Sequence, residues 1–291
     1  LACMSTPTRP SQFPTATNPW DRAAAGYLTE WVPRFVPYHR NLISELALGE
    51  NQKVLVVGAG PGSEALIAAR QVGPRGRVRA TDASEQMVAL CSDQAKRAGL
   101  DGVIESAAGD VADTVGGPWD AVVSAFGLWQ IADDARIAVV RGWGEALAPG
   151  GKVGVLTWGP TDTTGPFELL SASLREIVPS FRQTNRQRLA AREPMEQLFR
   201  DAGLSMVRLT VVRHPHHFST AEQFVASLRD ACTWRSVWDE LGNETLNRVA
   251  ASFYDKVGGP EAPLNFEPAA TLAIAARPGE EVVLSTRTIV G

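Results

Sequence analysis

No apolar run approaches the length of about 18 residues that a membrane-spanning helix needs, so no segment is expected to cross a bilayer. The N-terminus lacks a charged segment followed by an apolar stretch; no secretory signal is expected, and Met4 is read as the natural start. Cysteine is scarce. Cys3, Cys91 and Cys232 are odd in number and far apart, with no CxxC pair and no Cys/His metal spacing. That excludes a disulfide framework and a structural zinc, and points to a reduced, cytoplasmic chain with no metal. An excess of positive charge is also missing: 28 Lys and Arg stand against 32 Asp and Glu, for a net charge of −4. A protein that follows phosphate backbones normally carries a basic surplus, so no nucleic-acid partner is expected. Internal repeats are absent.

What is present is an ordinary globular composition, 44% hydrophobic and 21% charged. The 291 residues suffice for one large α/β domain or for a core with a cap. Residues 1–19, rich in Ser, Thr and Pro, read as a flexible tail, and residues 20–49 as an N-terminal helical cap. In the cap, Ala24, Leu28, Trp31, Phe35 and Leu42 form an apolar stripe interrupted at Pro33 and Pro37, which predicts two short helices over a cleft.

From residue 50 to 160 the text alternates strictly. Apolar runs at Val54–Val57, Arg77–Thr81, Val103–Ile104, Ala121–Ser124 and Lys152–Trp158 read as strands, with helical text after most of them. Such alternation requires a parallel sheet with right-handed crossovers. After Gly159 the rhythm changes. Residues 161–291 are expected to complete the sheet, through strands at Leu204–Arg213 and Leu272–Ala276, with a helical lid at about 219–260 between them. The expected fold is α/β and Rossmann-like: a mostly parallel seven-stranded sheet with helices on both faces, an N-terminal cap and a C-terminal lid.

The first strand runs into Gly58-Ala59-Gly60-Pro61-Gly62, and a helix follows from Ser63. Glycines permit positive φ and a close approach of backbone to ligand, and the helix start offers free N–H groups. Asp82 ends the second strand, about 20 residues after the turn, where a carboxylate can accept both hydroxyls of a ribose. Two adjacent strand ends thus line one cleft of nucleotide type.

The segments VLVVGAGPG (54–62), ATDASEQMV (80–88), AAGDV (107–111), WDAVVSAFGL (119–128) and LAPGGKVGVLTWG (147–159) together resemble the class I S-adenosylmethionine-dependent methyltransferases, small-molecule type, and are similar to the ubiquinone/menaquinone C-methyltransferase group. The resemblance implies the methyltransferase fold, S-adenosylmethionine as cofactor and S-adenosylhomocysteine as product. It also implies that Gly58, Ala59, Gly60 and Gly62 pass close to the methionine part of the cofactor. Asp82 and Ala83 would hold the ribose, and Met87 would pack near the adenine. Gly109, Asp110 and the backbone of Val111 would face the adenine amino group. Ser124 and Ala125 would offer carbonyls to the cofactor's ammonium, with Phe126 bordering the transferred methyl. One position departs from the pattern. The family usually has an acid two places before the first glycine, where this chain has Val56, so the cofactor is held less tightly or another group takes over.

The acceptor is less legible. Methyl transfer from a sulfonium is an in-line displacement that depends mainly on alignment and exclusion of water, so no particular catalytic residue is required. His217, His214 and His216 in RHPHHF are candidate bases where a strand meets the lid, against the plain alternative of solvated imidazoles in a turn; His39 has a similar, smaller claim. Tyr27, Trp31, Phe126, Trp129 and Trp234 are candidates for an aromatic acceptor pocket, against ordinary core packing. No Asp/Asn-Pro-Pro-Tyr/Phe segment follows the fourth strand, which argues against nucleobase methylation, and no acid ends that strand to hold a divalent metal. The expected acceptor is a small molecule, quinone-like or otherwise aromatic, reacting at O, N or C. Two other readings stand beside this one. A NAD(P)-dependent oxidoreductase would want glycine where Ser63 stands, to complete GxGxxG. A non-catalytic relative of the fold would account for Val56.

Overall fold

The computed structural model describes residues 18–160, 162–180, 189–231 and 234–279, with backbone only at 230–231 and 234–237. The expected flexible tail therefore falls almost wholly outside the described residues, as do Cys3, Cys232 and the side chain of Trp234.

A seven-stranded sheet forms the centre: β1 (Lys53–Val57), β2 (Arg77–Asp82), β3 (Ile104–Ala108), β4 (Trp119–Ala125), β5 (Leu147–Trp158), β6 (Ser205–Arg213) and, last in the chain, β9 (Ala269–Ala276). Its order is β3-β2-β1-β4-β5-β9-β6. The first five strands are mutually parallel, and β9 is antiparallel to both β5 and β6. The sheet matches the mostly parallel Rossmann-like methyltransferase architecture. Val54 to Val57 are all fully buried, as a central strand covered on both faces requires. At roughly 1.5–3 kcal/mol for each buried aliphatic side chain, this strand alone anchors the sheet centre.

Helices cover both faces. α2 (Val32–Leu46), α3 (Ser63–Val72) and α4 (Glu85–Arg97) pack on one side with the lid. α5 (Asp133–Glu145) and α7 (Arg192–Asp201) pack on the other, around Trp143, Val140, Met195 and Phe199. The start of α4 is capped by Ser84, whose Oγ accepts the N–H of Met87 at 3.1 Å.

Three regions differ from the expectation. The cap is not two short helices interrupted at the prolines. α1 (Pro19–Gly26) runs through one wide π turn at Tyr27–Trp31 into the 15-residue α2. Pro33 occupies the first turn of α2, where its missing N–H is not needed; Pro37 lies inside, and the buried Phe35, Tyr38 and Leu42 hold the helix down across it. The third strand is longer than its two apolar residues indicate, because it is an edge strand with a half-exposed face. A short antiparallel ribbon, β7 (His216–Phe218) with β8 (Leu264–Phe266), was not foreseen. It ties together the two ends of the lid segment, which consists of α8 (Ala221–Ala231) and α9 (Trp234–Val257), kinked at Gly242. α6 (Pro166–Ile177) packs beneath α9. No described helix is long and apolar enough to cross a membrane.

Candidate cofactor and acceptor site

The C-terminal ends of β1, β2 and β4 meet at one rim of the sheet. Gly58, Gly60 and Gly62 have φ of 63°, 51° and 89°, which would cost another residue about 1–2 kcal/mol each. A Cβ placed on Gly58 or Gly60 would meet no atom within 4 Å, so both border open space. Gly62 differs: its Cβ would lie 2.4 Å from Cys91 Sγ. It serves the close packing of the turn on α4.

Asp82 braces this turn. Its Oδ2 accepts the Gly60 N–H at 2.8 Å and its Oδ1 accepts the Ser84 N–H at 2.9 Å. Two further lone-pair sites on the carboxylate remain for ligand hydroxyls. Burial, which outweighs these hydrogen bonds, raises its pKa. Ala83 is exposed beside it, and Met87 is buried in the first turn of α4. The N–H of Gly109 donates to the Asp82 carbonyl at 3.1 Å, which carries the chain to the exposed Asp110. Asp110 Oδ1 closes a turn on Ala112 N at 2.9 Å, and the Val111 carbonyl accepts from Trp143 Nε1 at 2.7 Å. At the end of β4, Ser124 and Ala125 are buried, and Phe126 takes a left-handed φ of 53°. Such strain in a non-glycine residue persists only where its surroundings enforce it. The open cradle at Gly58 and Gly60, with spare acceptors on Asp82 beside it, fits an adenosyl group.

The cap closes over this rim. Asp21 Oδ1 accepts from Ser84 Oγ at 2.5 Å, and Trp20 Nε1 donates to Gln130 Oε1 at 3.0 Å, just beyond β4. The lid is clasped to the cap by Trp31 Nε1, which donates to the Ser227 carbonyl at 3.3 Å, and by an exposed Arg22–Asp239 pair at 2.8 Å.

Between cap, sheet rim and ribbon lies a set of aromatic rings. Tyr27 and Trp31 pack on Phe35, with centroids 6.1 and 5.7 Å apart. Phe35 meets Phe126 at 4.9 Å, and Phe126 meets Trp158 at 4.9 Å. Of the residues singled out by sequence, Tyr27, Trp31 and Phe126 come together here; Trp129 stands half-buried in the next turn. Phe35 and Trp158 are central to the group but carry no sequence signal beyond hydrophobicity.

The three histidines separate cleanly. His217, foremost by its place in the motif, is exposed, with Nδ1 2.8 Å from Asn265 Oδ1. His214 is half-buried and engaged, its Nε2 2.6 Å from Asn41 Oδ1. His216 is 2% exposed, with its ring 6.0 Å from Phe35 and 5.5 Å from Phe266. Its Nδ1 lies 3.2 Å from the His214 carbonyl, an acceptor, so Nδ1 carries the proton and Nε2 keeps a lone pair. Burial lowers its pKa to about 4, with the Arg34 charge contributing in the same direction. The ring is neutral at ordinary pH, and Nε2 is buried with no hydrogen-bond partner among the described residues. The strand alternation of β7 explains the split: His216 faces inward and His217 outward.

Comparison with known proteins agrees with this geometry. Residues 54–151 match the family described as a methyltransferase domain. The demethylmenaquinone methyltransferase of Listeria welshimeri is 24% identical over 188 residues, covering 60% of this chain and 78% of that protein. The ubiquinone/menaquinone biosynthesis C-methyltransferase UbiE of Cupriavidus metallidurans is 34% identical over 128 residues, 41% of this chain and 50% of that protein. Among solved structures, the YcgJ protein of Bacillus subtilis superposes with a TM-score of 0.57 at 16% identity, over 84% of this chain and 100% of that one. The [4+2]-cyclase SpnF superposes with a TM-score of 0.56 at 18% identity, over 86% and 84%. These two share the fold, and the sequence relatives narrow the chemistry. The chain is a class I S-adenosylmethionine-dependent methyltransferase, similar to the ubiquinone/menaquinone (UbiE-like) group.

Proposed function

We propose that this methyltransferase acts on a small aromatic or quinol-like molecule that bears a hydroxyl group, and that His216 Nε2 accepts the hydroxyl proton as the methyl group is transferred. One observation carries the reading: a buried, neutral imidazole with a bare and unpartnered Nε2, set against aromatic rings that run to Phe126. A buried imidazole nitrogen with a free lone pair against these rings is suited to accept a hydrogen bond from a ligand hydroxyl. The names of the sequence relatives support a quinol-like acceptor. Removing a proton from a hydroxyl raises electron density on its oxygen and on the adjacent ring carbons, so one base serves O- and C-methylation alike.

When bound, S-adenosylmethionine supplies an electrophilic methyl on a good leaving group. Gly58 and Gly60, with Ala59 between them, would admit its methionine part close to the backbone, and Asp82 would take the ribose hydroxyls, with Ala83 beside it. Met87 would pack on the adenine, with Gly109, Asp110 and Val111 at its edge. Ser124 and Ala125 would present carbonyls to the ammonium. Tyr27, Trp31, Phe126 and Trp129, with Phe35 and Trp158, would orient a flat acceptor and exclude water, which lets alignment contribute roughly 7–11 kcal/mol to the rate. Residues 20–49 and 219–260 act as cap and lid over that acceptor.

The test is incubation with methyl-labelled cofactor and a panel of paired acceptors, hydroxyaromatic compounds and their O-blocked or amino counterparts, with products identified by mass spectrometry. Label on hydroxyaromatic acceptors alone is expected. Label on amines or O-blocked compounds at equal rates would overturn the assignment.

A further inference from the structure

S-adenosylmethionine carries two positive centres, a sulfonium and an α-ammonium, against one carboxylate. A buried site must supply counter-charge or pay heavily in lost solvation. The end of β1 supplies none, since Val56 and Val57 are fully buried aliphatic residues. The first turn of α3 does. Glu64, two residues after Gly62, is 4% exposed, and Asp82 holds the Gly60 N–H at 2.8 Å. The two carboxylates thus flank the glycine turn.

Glu64 is held by a closed set of contacts. Ser63 Oγ donates to Glu64 Oε2 at 3.0 Å and lies 2.7 Å from His39 Nδ1, which donates to it. That arrangement leaves the lone pair on His39 Nε2, 3.5 Å from Glu64 Oε1. Among the described residues His39 is the only basic side chain within ion-pair distance of Glu64. It does not serve as a cation, because burial lowers its pKa to about 3. A buried carboxylate with no cationic partner among the described residues therefore stands in the helix turn that follows the open glycine cradle, and a protein that gains nothing from it would be more stable with a neutral side chain.

We propose that Glu64 is the counter-charge for the cofactor's ammonium, with Ser63 and His39 as its positioning residues. The proposal rests on the cofactor reading above. It assigns to Glu64 the negative charge that Val56 does not provide. Burial pushes the Glu64 carboxyl up to about 7, so at neutral pH a share of the protein carries a proton there. The other titratable groups around it are His39 on α2, Asp82 on β2 and Cys91 on α4; Asp21 on α1 acts on Asp82. None brings a positive charge. An arriving ammonium favours the ionised carboxylate, and the proton passes to solvent.

The experiment is calorimetric titration of the full-length protein with S-adenosylhomocysteine and with 5′-methylthioadenosine, which lacks the amino acid end. Each is run at pH 7 in phosphate and in Tris, whose ionisation enthalpies differ. Homocysteine-ligand binding is expected to release protons and methylthioadenosine binding to release none. Glu64→Gln is expected to weaken the former roughly tenfold and leave the latter unchanged, as loss of one charged contact implies. Equal weakening of both ligands, or no proton release by the wild type, would overturn the proposal. The wild-type comparison decides the matter even if Glu64→Gln fails to fold. A wild type that binds neither ligand removes the cofactor reading itself, whereas normal binding unaffected by Glu64→Gln removes only this assignment.

Discussion

One carboxylate, that of Asp82, joins the turns leaving two neighbouring strands: Oδ2 takes the N–H of Gly60 at 2.8 Å and Oδ1 takes that of Ser84 at 2.9 Å. The same Ser84 receives the cap, through its Oγ contact with Asp21 at 2.5 Å. The glycine turn, the start of α4 and the helix α1 therefore share a single anchor.

Asp82→Ala is expected to weaken S-adenosylhomocysteine binding by well over tenfold, because the ligand hydroxyls and the Gly60 N–H lose their acceptor together. Asp82→Asn, which keeps one carbonyl oxygen, should fall between wild type and Ala. Calorimetry measures both, and wild-type affinity in Asp82→Ala would show that this strand end does not hold the ribose.

His216→Phe retains a buried ring but removes Nε2. Turnover of a hydroxyaromatic acceptor should fall by about 10²–10⁴-fold, with cofactor affinity unchanged. His217→Ala should alter neither, since its ring is exposed and, among the described residues, bonded only to Asn265. Steady-state rates of the two variants, measured side by side, distinguish an inward base from an outward bystander.

Stability should fall on acidification below pH 6.5. The folded-state pKa values of His39 and His216 are depressed to about 3 and about 4, so the stability they contribute is present above 6.5 and is lost as pH falls. Glu64, raised to about 7, acts in the opposite sense: its contribution is present below about 4.5 and is lost as pH rises through 7. Between about pH 4.5 and 6.5 the unfolded chain thus binds two histidine protons more and one glutamate proton fewer, a net of one. Stability from these groups therefore rises with pH across this range. In His216→Phe one histidine is gone and this contribution should flatten. Urea midpoints at pH 5 and 6.5 test it: a loss equal to that of the wild type would show that His216 is not held neutral.

Gly62→Ala is expected to destabilise the fold by about 2–4 kcal/mol, through its left-handed φ and the 2.4 Å approach of the new Cβ to Cys91 Sγ. Gly60→Ala pays only the φ cost in the free protein and loses cofactor affinity instead. Thermal melts with and without S-adenosylhomocysteine separate the two; equal melting temperatures for both variants without ligand would contradict this division of roles.

The sequence by itself determined the class of chemistry and most of the sheet. Continuous apolar runs such as Val54–Val57, glycines at 58, 60 and 62, and Asp82 are local signals, because buried parallel strands and tight turns constrain the residues that form them. Where a segment lies at an edge the signal fades: β3 showed two apolar residues for a strand of five, and the ribbon of β7 and β8 showed none that set it apart from a loop. Only the tertiary structure decided that His216 faces the rings and His217 the solvent, since a one-residue step along a strand turns a side chain from interior to solvent. It also decided that Gly62 serves packing, and that His39, Ser63 and Glu64 meet although His39 lies 24 residues before Ser63. Contacts between side chains distant in sequence are set by how α2 lies on α3, and no local pattern of residues encodes that.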